Sequence, residues 1–356
     1  MNMIKTKVSE LIGETPLLEL PLQDCSWKLL LKLEKFNPGM SMKDRMARSM
    51  IEAAVREGRL QPGGVIVESS SGNTATGLAL LAAEMGFRFI AVMDHHAAVE
   101  KVMAVKAYGG EVHIVKGDYA DDEVATVERE LTAARLASEI EGACFMDQSN
   151  NLANPGGYSG SLAHELIRDT DGGIDALVAC VGTGGSITGV ASELKKYRSD
   201  IRIFGVEPVG SVVFRKEGGP YYQSGTGVPP GDAIGAAFRR ELVDYGYQVT
   251  DAEAFETCRY LARQRGLLIG GSAGGAVYQS VKIAQNLSGS GTMVCIVCDG
   301  GEKYLPTIFN DEWMSERGLF EPRVHQELNR WLTPAFPGRI NKTRAGADAR
   351  AASLCL

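Results

Sequence analysis

The segment Asn37-Pro38-Gly39-Met40-Ser41-Met42-Lys43-Asp44-Arg45 puts a lysine where a charge is unwelcome. Pro38 and Gly39 make a turn, Ser41 can cap, and Met42 to Val55 reads as a helix, so Lys43 falls in its first turn. Beside the positive end of the helix dipole an amine loses basicity and becomes a better nucleophile. Taken alone, such a lysine is far more often a solvated surface residue. Three glycine-rich segments change its weight: Ser69-Ser70-Ser71-Gly72-Asn73-Thr74, Gly182-Thr183-Gly184-Gly185-Ser186 and Gly270-Gly271-Ser272-Ala273-Gly274-Gly275. Each lies between a strand pattern and a helix pattern. Glycine lets the backbone approach a ligand, and the following helix offers unpaired N–H groups to an anion. Gly182 to Ser186 is the best phosphate cradle. One such loop is no more than a tight turn, and it is their conjunction with Lys43 that points to chemistry.

Other chemistries fit less well. A dinucleotide fingerprint fails because Ile187 stands at its third glycine position, although Glu207 follows a strand as a ribose-binding acid would. No G-x-x-x-x-G-K-[ST] loop occurs. Cys295-x-x-Cys298 lies in the apolar run MVCIVC and reads as core packing rather than a metal half-site. His95 and His96 are adjacent and read as surface or loop residues, and His113, His164 and His325 have no partner at a recognisable spacing. No metal site is expected.

The elements that must hold these residues alternate between short β-branched runs and longer helical patterns, which predicts parallel sheets with crossover helices. At 356 residues and 44% hydrophobic content, two α/β units fit. The expected division is a large cofactor-binding domain from residues 1–42 and 149–317, a small mobile substrate domain from 43–148, and a tail from 318–356. In that tail Val324, Leu328, Trp331 and Leu332 could line one face of a short helix, followed by a polar Arg/Ala-rich end, and the tail as a whole is expected to be peripheral. The Gly/Pro-rich stretch Glu217 to Gly235 interrupts the alternation and is expected to border the site. A net charge of −7 without a basic cluster argues against nucleic acid or membrane partners. Seven scattered cysteines suggest reduced thiols and a cytoplasmic protein.

In order and approximate spacing, Asn37 to Arg45, Ser71 to Thr74, Gly182 to Ser186 and Gly271 to Gly274 resemble the cysteine synthase and cystathionine β-synthase family, the fold type II pyridoxal-phosphate enzymes. Within it, residues 205–214 and 299–304 look closest to cystathionine β-synthase and to the siderophore-pathway synthases that join O-phosphoserine to glutamate. The resemblance implies two domains with twisted, mostly parallel sheets flanked by helices, pyridoxal 5'-phosphate as cofactor, and a homodimer. It implies that Lys43 carries the cofactor as an imine, that Asn73 bonds its 3′-oxygen, and that Gly182, Thr183, Gly184, Gly185 and Ser186 hold its phosphate. Ser272 would face the pyridine nitrogen. Ser70, Ser71, Thr74 and Gln148 would receive the carboxylate of an amino-acid substrate. The reaction implied is β-replacement on an activated L-serine through an aminoacrylate, with a sulfur or amine nucleophile. Departures from the family pattern are Ala75 after Ser-Gly-Asn-Thr, Met40 in the lysine loop, and Gly225 to Pro230 where a Gly-Ile-Gly is usual.

Overall fold

The computed structural model describes residues 4–95, 97, 99–117, 125–215 and 217–335. His96 and the Arg/Ala-rich end of the tail lie outside them. The chain opens with strands β1 (Leu17–Glu19) and β2 (Trp27–Leu33) and then departs through helix α1 (Lys43–Arg56) into four strands of a different sheet. These are β3 (Val65–Ser69), β4 (Arg88–Met93), β5 (Glu111–Ile114) and β6 (Ala143–Phe145), linked by α2 (Asn73–Met85), α3 (Val99–Ala107) and α4 (Thr126–Glu139). The chain returns through α5 (Ala153–Gly157), a π turn at Tyr158–Leu162 and α6 (Ala163–Asp169). Strands β7 (Ile174–Cys180), β8 (Arg202–Pro208), β9 (Tyr245–Val249) and β10 (Gly291–Val297) follow, with α7 (Gly185–Tyr197), α8 (Asp251–Arg265) and α9 (Gly271–Asn286) among them. Helices α10 (Asp311–Glu316) and α11 (Pro322–Trp331) come last.

Two sheets result. One runs β1-β2-β10-β7-β8-β9, parallel except for the β1–β2 pair, and the other runs β5-β4-β3-β6, wholly parallel. Because parallel strands are covered on both faces, their sequences carry continuous apolar runs, as in β10 and in Val65-Ile66-Val67 of β3, whose five residues are all buried. Strand β2 hides this signal, since its run WKLLLKL carries two lysines. Lys32 is nevertheless fully buried, its ammonium 2.8 Å from Glu165, 3.1 Å from Asp169 and 2.7 Å from the Thr15 carbonyl. The main core fills the space between the sheets with α1, α2, α6 and α7, and a second core lies under α8 and α9 on the far face of the larger sheet.

The segment after Arg317 is less peripheral than its polar sequence suggests. Val324, Leu328 and Leu332 belong to that second core, and Leu332 forms a bridge to Leu22. The expected apolar face is present, and it packs against α8. Among the described residues no helix is long and apolar enough to cross a membrane.

Candidate functional site

Parallel strands deliver their following loops to one edge, and four strands do so here. After β2 comes the lysine segment. Met42 N donates to the Cys298 carbonyl at 2.8 Å and Ser41 bridges to Asp299, so the start of α1 is laced to the residues that follow β10. Helix α1 begins at Lys43 itself, and Ser41 Oγ accepts from the Lys43 N–H at 3.3 Å. Gly39 is required in this turn because a Cβ there would lie 2.3 Å from Asp44 Oδ1. Lys43 is half-buried in the pocket wall, and desolvation pulls its pKa down against the opposing influence of Cys298, Asp299 and Cys180.

After β7, Gly184 adopts φ +80° and starts α7, a conformation that L side chains rarely adopt. Gly182, Thr183, Gly184 and Ser186 line one pocket with Lys43, Asn73 and Ser272. Gly185 does not line it. A Cβ there would strike Asn154 Oδ1 at 2.2 Å, so this glycine permits the close packing of α7 on α5. Ser224 and Gly225, from the long Gly/Pro-rich stretch, complete the wall.

After β3, Asn73 opens α2. Its Nδ2 donates to Asp299 Oδ2 at 2.8 Å while its Oδ1 accepts from Lys303 Nζ at 2.6 Å. Tyr304 OH donates to the same Asp299 oxygen at 2.8 Å, and Asp299 Oδ1 is a buried oxygen without a partner among the described residues. The N-cap residue of α2, Gly72, supplies no side-chain cap, which leaves N–H groups of its first turn to face a ligand. Around that turn Thr74 Oγ1 donates to Gln148 Oε1 at 2.7 Å, Gln148 Nε2 donates to the Ser69 carbonyl at 3.2 Å, and Ser70 Oγ accepts from Gly72 N at 3.2 Å. Ser71 Oγ accepts from Arg129 of α4 at 3.2 Å.

After β10, the sequence reading needs correction. Cys295 is core, but Cys298 lies beyond the strand and lines the pocket, its Sγ 3.6 Å from Ser272 Oγ. An apolar run does not distinguish its last residue from its interior, and strand ends in this sheet face the site. Ser272 is the second residue of α9, whose N-cap residue is Gly270, so its hydroxyl does not cap the helix. Glu207, the would-be ribose acid, is buried and accepts from Val213 N at 2.8 Å and Phe214 N at 3.2 Å, which pins a loop. Asp299, Lys303, Tyr304 and Arg129 escaped the sequence reading as individual site residues. Their charges lie far from the motifs in sequence and meet them only in the fold.

The donor set suits a phosphorylated, aldehyde-bearing cofactor: an amine of lowered pKa, a glycine turn with two hydroxyls at a helix start, an amide and a neutral hydroxyl. The comparisons agree. A family model described as pyridoxal-phosphate dependent enzyme matches residues 8–299. Over 330 residues the chain is 54% identical to a Sinorhizobium fredii protein whose name assigns it provisionally to the cysteine synthases, covering 93% of this chain and 98% of that one. It is 39% identical over 321 residues to cystathionine beta-synthase of Oryctolagus cuniculus, covering 87% of this chain and 57% of the relative. The crystal structure of O-ureido-L-serine synthase superposes with a TM-score of 0.78 at 31% identity, covering 88% of this chain and 99% of the other. With fold, donor set and family model in accord, the chain belongs to the pyridoxal-phosphate-dependent enzymes of fold type II.

Proposed function

We propose that the protein catalyses β-replacement on an activated L-serine, O-phospho- or O-acetyl-L-serine, joining its Cβ to a sulfur or amine nucleophile. The observation that carries this reading is the Lys43 amine, its pKa lowered by desolvation, in one pocket with residues of the Gly182 to Ser186 turn, Asn73 and Ser272. The names of the relatives, cysteine synthases and a synthase of a β-substituted alanine, support it.

In this reading Lys43 holds the cofactor, Gly182, Thr183, Gly184 and Ser186 receive its phosphate at the start of α7 with Gly185 setting how that helix packs, Asn73 holds its 3′-oxygen, and Ser272 meets its ring nitrogen. When bound, the cofactor delocalises the electron pair left on the substrate Cα. The protein supplies the rest. The N–H groups of the first turn of α2, with Ser70, Ser71, Thr74 and Gln148, hold the substrate carboxylate and aim Cα at Lys43. A Lys43 amine depressed in pKa is neutral often enough to take the Cα proton and return it after the nucleophile has added. A serine rather than a carboxylate at the ring nitrogen leaves that nitrogen unprotonated and so favours departure of the β-substituent over transamination. We read residues 43–148 as a mobile unit that closes over the substrate, and the assembly as a cytoplasmic homodimer. Exposed Ile4, Val8 and Leu11 and the six unpaired cysteines of the described residues support the latter.

The deciding experiment supplies the cofactor-loaded protein with either donor and, separately, sulfide, cysteine, homocysteine or glutamate. A β-substituted alanine is expected by mass spectrometry, and none with Lys43→Ala. Ketoacid from unmodified serine or threonine without any added nucleophile would overturn the reading in favour of a dehydratase.

A further inference from the structure

Ser272 is held by sulfur on two sides. The Cys180 thiol donates to its carbonyl at 2.9 Å, and Cys298 Sγ stands 3.6 Å from its hydroxyl oxygen. No other hydrogen-bond partner of that hydroxyl is seen among the described residues, although a serine in a helix can bond back to a carbonyl of the preceding turn. Something must therefore orient it toward the pocket, and Cys298 alone is placed to do so. We infer that Cys298 is a positioning residue that fixes the direction of the Ser272 hydroxyl, making it a donor toward the ring nitrogen of the cofactor. The inference rests on the assignment of Ser272 to that nitrogen.

Proton counting sets the direction. A hydroxyl has one proton. If Cys298 S–H donates to Ser272 Oγ, the serine proton is free to point at the ring, and an unprotonated pyridine nitrogen is the matching acceptor. If Cys298 were instead a thiolate, it would claim the serine proton, leaving an oxygen lone pair that suits a protonated ring. Burial, reinforced by Asp299, pushes the Cys298 thiol up to about 11, so near neutrality it keeps its proton and can make the first arrangement. The two hydrogen bonds then run in one direction and reinforce each other.

The test compares Cys298→Ala, Cys298→Ser and Ser272→Ala in protein loaded with cofactor labelled with nitrogen-15 in the ring. In Cys298→Ala the ring-nitrogen resonance should move toward the protonated position. Its kcat with the donor should fall about five-fold, the effect of one net hydrogen bond, while KM changes little. Cys298→Ser keeps an O–H donor and should restore the wild-type resonance and most of the lost rate. A wild-type resonance in Cys298→Ala overturns the inference, as does a Cys298→Ser variant perturbed as much as the alanine. If Ser272→Ala shifts the resonance and Cys298→Ala does not, only the role of Cys298 falls. If neither shifts it, the Ser272 assignment falls as well. A protein that binds no cofactor would overturn both along with the proposed reaction.

Discussion

Asp44 stands beside Lys43, almost fully buried, with Oδ2 accepting from Gly39 N at 2.6 Å and Oδ1 without a partner among the described residues. Burial raises its pKa to about 6, against the pull of the Gly39 N–H, Lys303 and Arg45. The folded protein thus holds this proton more tightly than the unfolded chain, so the stability it contributes is complete below about pH 4 and is lost as pH rises through 6. A shift of this size corresponds to about 3 kcal/mol. Asp44→Asn should therefore raise the unfolding temperature at pH 7.5 and leave it unchanged at pH 4, as thermal melts in the two buffers would record. Equal melts of both proteins at pH 7.5 would mean that water reaches the carboxylate. Lys43 was legible at this scale because turn residues and a helix start announce it locally. Asp299, Lys303 and Cys298 were not, because a residue that acquires its role from partners hundreds of positions away carries no local mark.

Helix α11 shows the same contrast for an element. Its period of apolar residues was readable, but the surface that receives it was not. In the fold Tyr278 OH donates to Glu327 at 2.6 Å, Tyr260 OH donates to Asn329 at 3.0 Å, and His325 lies 2.7 Å from Glu256, so the helix is fastened by polar contacts around its apolar seam. Leu328→Ala should cost about 2 to 5 kcal/mol of stability in urea unfolding, the range for a large side chain truncated in a core. Truncation after Arg317 should be more severe and give poorly soluble protein, because Val324, Leu328 and Leu332 would leave their seats bare. A truncated protein that is soluble and melts like the parent would show that α11 is dispensable. Strand β2 is the converse case: Lys28 and Lys32 interrupt its apolar run, and only the fold brings Glu165 and Asp169 beside Lys32.

Across the whole molecule, Arg45 joins parts that are distant in sequence. Its guanidinium bonds Glu34 at 2.7 and 2.8 Å and Glu165 at 2.6 and 2.9 Å, and it reaches Ser161 in the π turn at 3.0 Å. Burial would raise the Glu165 pKa, but Arg45 and Lys32 outweigh it and hold the carboxyl down at about 2. Arg45→Met takes from buried Glu34 its cation and leaves Glu165 with Lys32 alone, for which about 3 to 5 kcal/mol is expected. Because Lys43 lies two residues away, the variant should also release cofactor faster on dilution. Loss of stability with unchanged cofactor release would confine Arg45 to a structural role. The order of the larger sheet bears on how the protein is made. Residues 291–297 form the strand between residues 27–33 and 174–180, so on the ribosome the smaller sheet is complete long before the larger one can close. Lys43, Asn73 and the Gly182 turn all emerge without their neighbours Cys298 and Asp299. A nascent chain can thus offer no finished pocket to the cofactor until nearly all the matched family region has been synthesised, and release of the chain ahead of residue 291 leaves two strands of the larger sheet without the neighbour that joins them.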